Sequence, residues 1–196
     1  MKGAIVKNPN KTVVLDGHPF DTSIKHLSLN SKNFANGSMD ELKKLAEFES
    51  LTSACFAGTE LDDIGLGHIC QVVDLEDLNL QWTEISDHGL SSLAKLPRLS
   101  TLRLKENDQL TNECVAHLIK LENLADLQIH GTSIDQQGLK ELVGLKNLRN
   151  LLIDSDNCGS SLEMTKELSL QMPDCVILVK GCGEFKNGKF EGKWGT

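Results

Sequence analysis

Apolar residues recur along this chain on a fixed step. Leu51, Leu75, Leu99, Leu124 and Leu148 stand 24, 24, 25 and 24 residues apart. Each is followed by apolar residues three and five positions on: Ala54 and Phe56, Leu78 and Leu80, Leu102 and Leu104, Leu127 and Ile129, Leu151 and Ile153. An earlier copy opens at Ile24 with Leu27 and Leu29. Within each unit the period changes midway. L-x-x-L-x-L ends in alternation, the mark of a short strand with one buried face. A polar residue then falls where the chain must turn: Thr59, Thr83, Asn107 or Thr132. After an apolar return at Leu61, Ile85, Leu110 and Ile134 comes Asp62, Ser86, Thr111 or Asp135. That slot suits the oxygen acceptor wanted by a helix N-terminus. Stripes such as Leu66-x-x-Ile69-x-x-Val72 and Leu90-x-x-Leu93-x-x-Leu96 predict one helical face per unit. The first copy has a capping box of its own, Ser38-Met39-Asp40-Glu41, ahead of Leu42 and Leu45.

One such unit cannot bury its own apolar face, so neighbours must stack to make a core. Equal steps impose equal geometry, and a strand-loop-helix unit returns each strand in the same direction. The six segments starting at Ile24, Leu51, Leu75, Leu99, Leu124 and Leu148 are therefore expected as neighbouring parallel strands, about 25–30 Å of sheet. Residues 24–179 form the repeat domain in this reading. Residues 1–23 make an N-terminal cap, with a strand at Thr12-Val13-Val14-Leu15 and a turn at Asp16-Gly17. The last unit decays after Ile153 and leads to a closing strand at Val176-Ile177-Leu178-Val179. Residues 180–196 read as a separate hairpin or tail, because Asn187-Gly188 flanked by Phe185 and Phe190 is a strong hairpin signal.

The third copy, LEDLNLQWTEISDHGLSSLAKLPRL from Leu75 to Leu99, shows the pattern most fully. This sequence resembles the leucine-rich repeat family over residues 24 to 177. The resemblance implies an α/β fold: a right-handed solenoid with a parallel sheet on the concave face and helices on the convex face. It also implies a recognition scaffold, serving as an inhibitor, immunity protein or adaptor. The segment from Gly183 to Trp194 bears a likeness to a single MORN repeat.

Composition narrows the partners. The 196 residues are 39% hydrophobic and 24% charged, enough for one domain with a real core. Net charge is −8; the tail from Lys180 carries four Lys and two Glu, leaving −10 on the body before it. A body of that sign repels nucleic acid and favours a basic protein partner. No apolar run approaches the roughly 18 residues of a transmembrane helix. The N-terminus breaks its apolar stretch after Ile5 and Val6 and gives no signal peptide, so a cytoplasmic monomer is expected. The six cysteines form no C-x-x-C pair and read as reduced thiols. The sequons at Asn10 and Asn36 then carry no glycan.

No Walker loop, H-E-x-x-H or G-x-S-x-G is present, so no cofactor, metal or catalytic residue is expected. Gly65, Gly89 and Gly138 share one slot that Cys114 fills in the fourth copy, which makes Cys114 a packing residue. His68 and His117 share an outward helix position and read as solvated. Function is expected on the outward strand rows. Asn79, Arg103 and Gln128 share one row, with Leu152 at its end; Gln81, Lys105, His130 and Asp154 share the next. Trp82 and Glu106 occupy a third, between Gly58 and Gly131, and Asp77 and Asp126 add a fourth. Together they are the candidate partner-binding surface, centred on Trp82. Two alternatives stand beside it. An enzyme would use His130 and Asp154, the pair that adjacent strands could bring within hydrogen-bonding reach. A peripheral membrane protein would anchor through the basic Phe/Trp hairpin of residues 183–194.

Overall fold

The computed structural model describes residues 11–32, 34 and 37–194. The two sequons begin at Asn10 and Asn36, which lie outside the described residues, as does the stretch before Lys11.

Strand β1 (Thr12–Leu15) and β2 (His18–Asp21) form an antiparallel hairpin. Its turn uses Asp16 and Gly17, both with positive φ, and Val13 and Leu15 are buried. The repeats supply β3 (His26–Ser28), β4 (Ser53–Cys55), β5 (Asp77–Asn79), β6 (Thr101–Arg103), β7 (Asp126–Gln128) and β8 (Asn150–Ile153). All six are parallel neighbours in sequence order. Val176–Val179, read from the sequence as a closing strand, is β9, a seventh parallel member paired in register with β8. One buried column runs through the sheet: Leu27, Ala54, Leu78, Leu102, Leu127, Leu151 and Ile177 sit opposite one another. None of them exceeds 3% exposure. The residues on either side of this column point to the opposite face, because side chains alternate along a strand.

The last segment is not a free tail. β10 (Gly183–Lys186) pairs antiparallel with β9, and β11 (Lys189–Gly192) pairs with β10. Asn187 and Gly188 make the two-residue turn, both with positive φ, as a tight hairpin of this hand requires. Phe185 is fully buried and its ring centroid lies 4.7 Å from that of Phe190 and 5.7 Å from that of Trp194. These aromatics are spent on packing the end of the sheet.

Opposite the sheet run short helices: α1 (Asp63–Ile69), α2 (Val115–Leu118), α3 (Gln136–Glu141) and the longer α4 (Leu162–Gln171). In the first and third units the tighter 3-10 form replaces them, over Met39–Glu47 and Gly89–Lys95. Asp62, Thr111 and Asp135 accept hydrogen bonds from backbone N–H groups of the turns they open. Ser86 does the same for Gly89. The capping box at Ser38 closes only halfway. Ser38 accepts from the Asp40 N–H, but the Glu41 carboxylate accepts from the Asp16 N–H and so ties the first helical segment to the β1–β2 hairpin.

Two polar ladders recur along the repeats, the first within each unit and the second from one unit to the next. In the first, Thr59, Thr83 and Thr132 donate their hydroxyls to the carbonyl three residues back, and Asn107 does the same through Nδ2. In the second, the residue after each cap reaches forward to the next cap. Asp63 accepts from both the N–H and Oγ of Ser86, and Asp87 from both the N–H and Oγ1 of Thr111. Asn112 exchanges two bonds with Asp135. The small-residue slot has a steric cause: a Cβ on Gly65 would stand 2.6 Å from Leu61 Cδ1, and one on Gly138 2.3 Å from Asn112 Oδ1. Cys114 fills the slot fully buried, its thiol pushed up to about 12 by burial first and the nearby Asp87 second. It stays protonated at neutral pH, as a packing residue would.

Candidate functional site

The exposed sheet face carries the outward rows. Asp77 and Arg103, on adjacent strands, form an ion pair through Oδ1 and Nη1. Asn79 turns its Oδ1 to the Gln81 N–H at 3.0 Å. Asp126 accepts from Asn150 Nδ2, and Gln128 and Lys105 lie half-buried on the same side. Most of this face satisfies its own charges.

Past the strand ends the backbone rises into the left-handed region at one slot in each of the four middle units. Gly58, Trp82, Glu106 and Gly131 have φ of +70, +53, +59 and +71°. The N–H groups of Gly58, Trp82 and Glu106 donate to the carbonyls of Gln81, Lys105 and His130 in the next unit. Glycine takes such a conformation freely, whereas a bulky side chain there is a true outlier. Trp82 is that outlier, and its side chain is 71% exposed. Gly58 leaves room beside it, since a Cβ there would reach Trp82 Cε3 at 3.6 Å. Between Trp82 and the following unit opens a cleft of about 480 Å³, bordered by Gln81, Glu106, Asp108, Gln109 and Gly131. Asp108 and Gln109 lie where the fourth copy, with its 25-residue step, gains one residue, and were absent from the sequence-based candidates. The insertion itself was the available signal.

His130 does not project into solvent as its row suggested. β7 ends at Gln128, so strand alternation no longer governs residue 130, and the side chain is only 7% exposed. Its Nε2 lies 4.0 Å from Glu106 Oε1, and its Nδ1 has no hydrogen-bond partner. Burial, then Lys180 and Lys105, hold its pKa below the usual value, against the opposing pull of Glu106 and Asp154. Asp154 is not its partner. That carboxylate accepts from the Gly131 N–H at 2.7 Å and from the N–H groups of Asp156 and Asn157. The pair expected of an enzyme is therefore not assembled. His68 also departs from expectation: its side chain is only 20% exposed, with Nε2 3.6 Å from Asp40 Oδ1. Among the described residues no cluster of three or more His, Cys, Asp or Glu side chains is placed to hold a metal ion.

A second opening, about 350 Å³, lies further along the sheet, between the exposed sides of β7, β8 and β9. Leu152 and Leu178 make its apolar floor, with Asp126 and Glu184 at its rim.

No family model matches the chain, and no curated protein sequence matches it. Solved structures do. The leucine-rich repeat-containing protein LegL7 from Legionella pneumophila superposes over 86% of this chain with a TM-score of 0.55 at 21% identity. The chain folds as a leucine-rich repeat protein. An internalin, InlF from Listeria monocytogenes, also aligns, over 72% of the chain with a TM-score of 0.43 and 14% identity. The chain spans 58% of the length of the LegL7 chain and 57% of that of InlF. No helix among its described residues is long and apolar enough to cross a membrane.

Proposed function

We propose that this chain is a non-catalytic recognition module that binds another protein on its exposed sheet face, with Trp82 at the centre of contact. The observation that carries the reading is Trp82 itself: a large apolar side chain, 71% exposed, on a backbone conformation that favours glycine. Strained backbone is kept where the side chain it presents has work to do. Tryptophan and arginine also dominate binding hot spots, which sit amid near-neutral contacts that exclude water. The surrounding face fits that description, because Asp77–Arg103 and Asp126–Asn150 are already paired within the chain.

The fold supports a protein partner by family habit, and the face is a continuous sheet surface rather than a closed pocket. Roles as inhibitor, immunity protein or adaptor are finer versions of the same reading. The test is site-specific photo-crosslinking in the source organism, with the reactive residue at position 82 or at position 117 on the helical side. A discrete adduct from 82 and none from 117 is expected. Trp82→Ala should then weaken binding of the captured protein about thirtyfold, the equivalent of ~2 kcal/mol. An adduct from 117 alone would place the binding surface on the helices instead.

A further inference from the structure

We infer that the cleft beside Trp82 receives an arginine side chain of the partner protein, stacked on the indole and held by the carboxylates of Glu106 and Asp108. The inference rests on the recognition reading above and adds the chemistry of the contact.

Three observations lead to it. First, the cleft is lined by an exposed indole, two carboxylates and the amides of Gln81 and Gln109, and among the described residues no lysine or arginine lines it. Indole faces attract cations through their negative quadrupole, and carboxylates accept the planar guanidinium fork. Second, the carboxylates here are treated differently from those elsewhere on the face. Asp77 is paired with Arg103, and Asp126 and Asp154 are satisfied by an amide and by backbone N–H groups. Asp108 is exposed and offers a carboxylate that no described side chain engages. Glu106 gives one oxygen to the exposed Lys180 at 3.3 Å, while Gly131 keeps space open along the other. A Cβ at position 131 would stand 2.8 Å from Glu106 Oε2. Third, the backbone holds both groups outward at a cost. Trp82 and Glu106 are successive members of the left-handed row whose other members are glycines. The sequence places its two non-glycine residues of that row on the two sides of one cleft.

Arginine fits better than lysine. The guanidinium can lie flat on the indole and still present N–H groups to both carboxylates, whereas an ammonium is a compact, strongly hydrated point charge. Affinity should fall with salt, since the carboxylates are solvent-exposed.

The experiment follows the two indole N–H resonances of the ¹⁵N-labelled full chain, with that of Trp82 identified by Trp82→Phe. The probes are capped peptides of alternating glycine with arginine, lysine or glutamate, and free arginine. The arginine peptide is expected to shift the Trp82 resonance and leave that of Trp194 in place. The lysine peptide should bind more weakly and the glutamate peptide not at all. Asp108→Asn and the double variant Glu106→Gln/Asp108→Asn should weaken the arginine peptide, the double variant by about tenfold, or ~1.4 kcal/mol. The charge-matched control Glu122→Gln/Glu141→Gln, on the helical side, should change little. An unmoved Trp82 resonance, equal loss in the control, or free arginine binding as tightly as the peptide would each overturn the inference. Should Trp82→Ala abolish binding of the crosslinked partner while Glu106→Gln/Asp108→Asn leaves it intact, this inference fails and the recognition reading stands. If both variants leave it intact, both fail.

Discussion

Asn107 reaches back across one repeat to Thr83: its Oδ1 accepts from the Thr83 N–H at 2.8 Å while its Nδ2 donates to the carbonyls of Leu80 and Leu104. One fully buried amide thus joins two neighbouring units at the point where both strands turn. Asn107→Leu would fill the space but leave the buried Thr83 N–H and the Leu104 carbonyl without a partner, each costing about 1–3 kcal/mol, while the Leu80 carbonyl keeps the Thr83 hydroxyl. Some of that loss is relieved by local shifts, so a destabilisation of about 2–4 kcal/mol is expected. Urea unfolding, read as a change of midpoint at constant slope, measures it.

Asn107 also shows what could be read in the sequence. Polar residues after each strand were legible, because their hydroxyl or amide bonds a carbonyl only three residues back. The helical stripes and the leucine column were legible for the same reason, as local periods. The forward ladder from Asp63, Asp87 and Asn112 was not, since each bond spans 23 or 24 residues and every polar side chain near a helix start looks like a cap. Asn157 was missed as well. It does the work of Gln109 in the decayed last unit, donating to the carbonyls of Thr132 and Ile134 as Gln109 donates to those of Thr83 and Ile85, but one residue out of register. His130 was misplaced by extending strand alternation two residues past the end of β7. For Trp82 the clue lay in plain view, with Gly58 and Gly131 in the same row, but a left-handed backbone cannot be inferred for a tryptophan from its neighbours alone.

The strain at Trp82 gives a test that separates stability from binding. With φ at +53°, a non-glycine residue there costs about 1–2 kcal/mol. The indole, exposed on the surface, recovers little of this. Trp82→Gly is therefore expected to leave the thermal midpoint unchanged or raise it by a few degrees, the response of a domain this size to about 1 kcal/mol. Binding of the partner should be lost in the same variant. Calorimetry alongside a binding assay reads both.

Two helical glycines should answer alanine substitution with opposite signs. In a helix, Gly→Ala ordinarily stabilises by up to about 1 kcal/mol. Gly67, within α1, has nothing within 4 Å of the added methyl, so Gly67→Ala should show that gain. At Gly89 the added methyl would sit 1.9 Å from Asp63 Oδ1 and push away the carboxylate that holds Ser86. Gly89→Ala should cost about 1–3 kcal/mol, as the loss of a buried polar link does. Denaturant titrations of the two single variants decide the sign.

The buried His130 makes stability fall on the acid side. Its folded pKa is held below the usual value near 6.5, first by burial and then by Lys180 and Lys105. The unfolded chain therefore takes up a proton at a higher pH than the folded one. Stability is flat above the unfolded value and declines as pH drops below about 6.5 toward the folded pKa. Asp40 and Asp135 have lowered values too, but they are carboxylates and act below about pH 4. In the interval from about pH 5 to 6.5 the decline should be shallower in His130→Gln than in the parent. A parallel pair of stability curves would show that His130 is not the group responsible.

The thiols should divide into two classes toward an aqueous disulfide reagent. All six cysteines are free, which agrees with their unrelated slots in the repeats. Cys70, Cys114, Cys158 and Cys175 are buried, while Cys55 and Cys182 are partly exposed. Burial drives the thiols of Cys70, Cys114 and Cys175 up to about 12 and raises that of Cys158 as well. The thiolate is the reacting species, so these four should be inert in the folded chain for lack of both access and ionisation. Two thiols are then expected to titrate promptly under native conditions, and six after unfolding in denaturant. Cys55 sits in β4 on the exposed sheet face, paired with Asn79 of β5, whereas Cys182 precedes β10. A bound partner covering the sheet face should therefore slow the reaction of Cys55 and leave Cys182 unchanged. Protection of Cys182 instead, with Cys55 still reacting freely, would move the contact away from the N-terminal side of the sheet and toward the terminal hairpin.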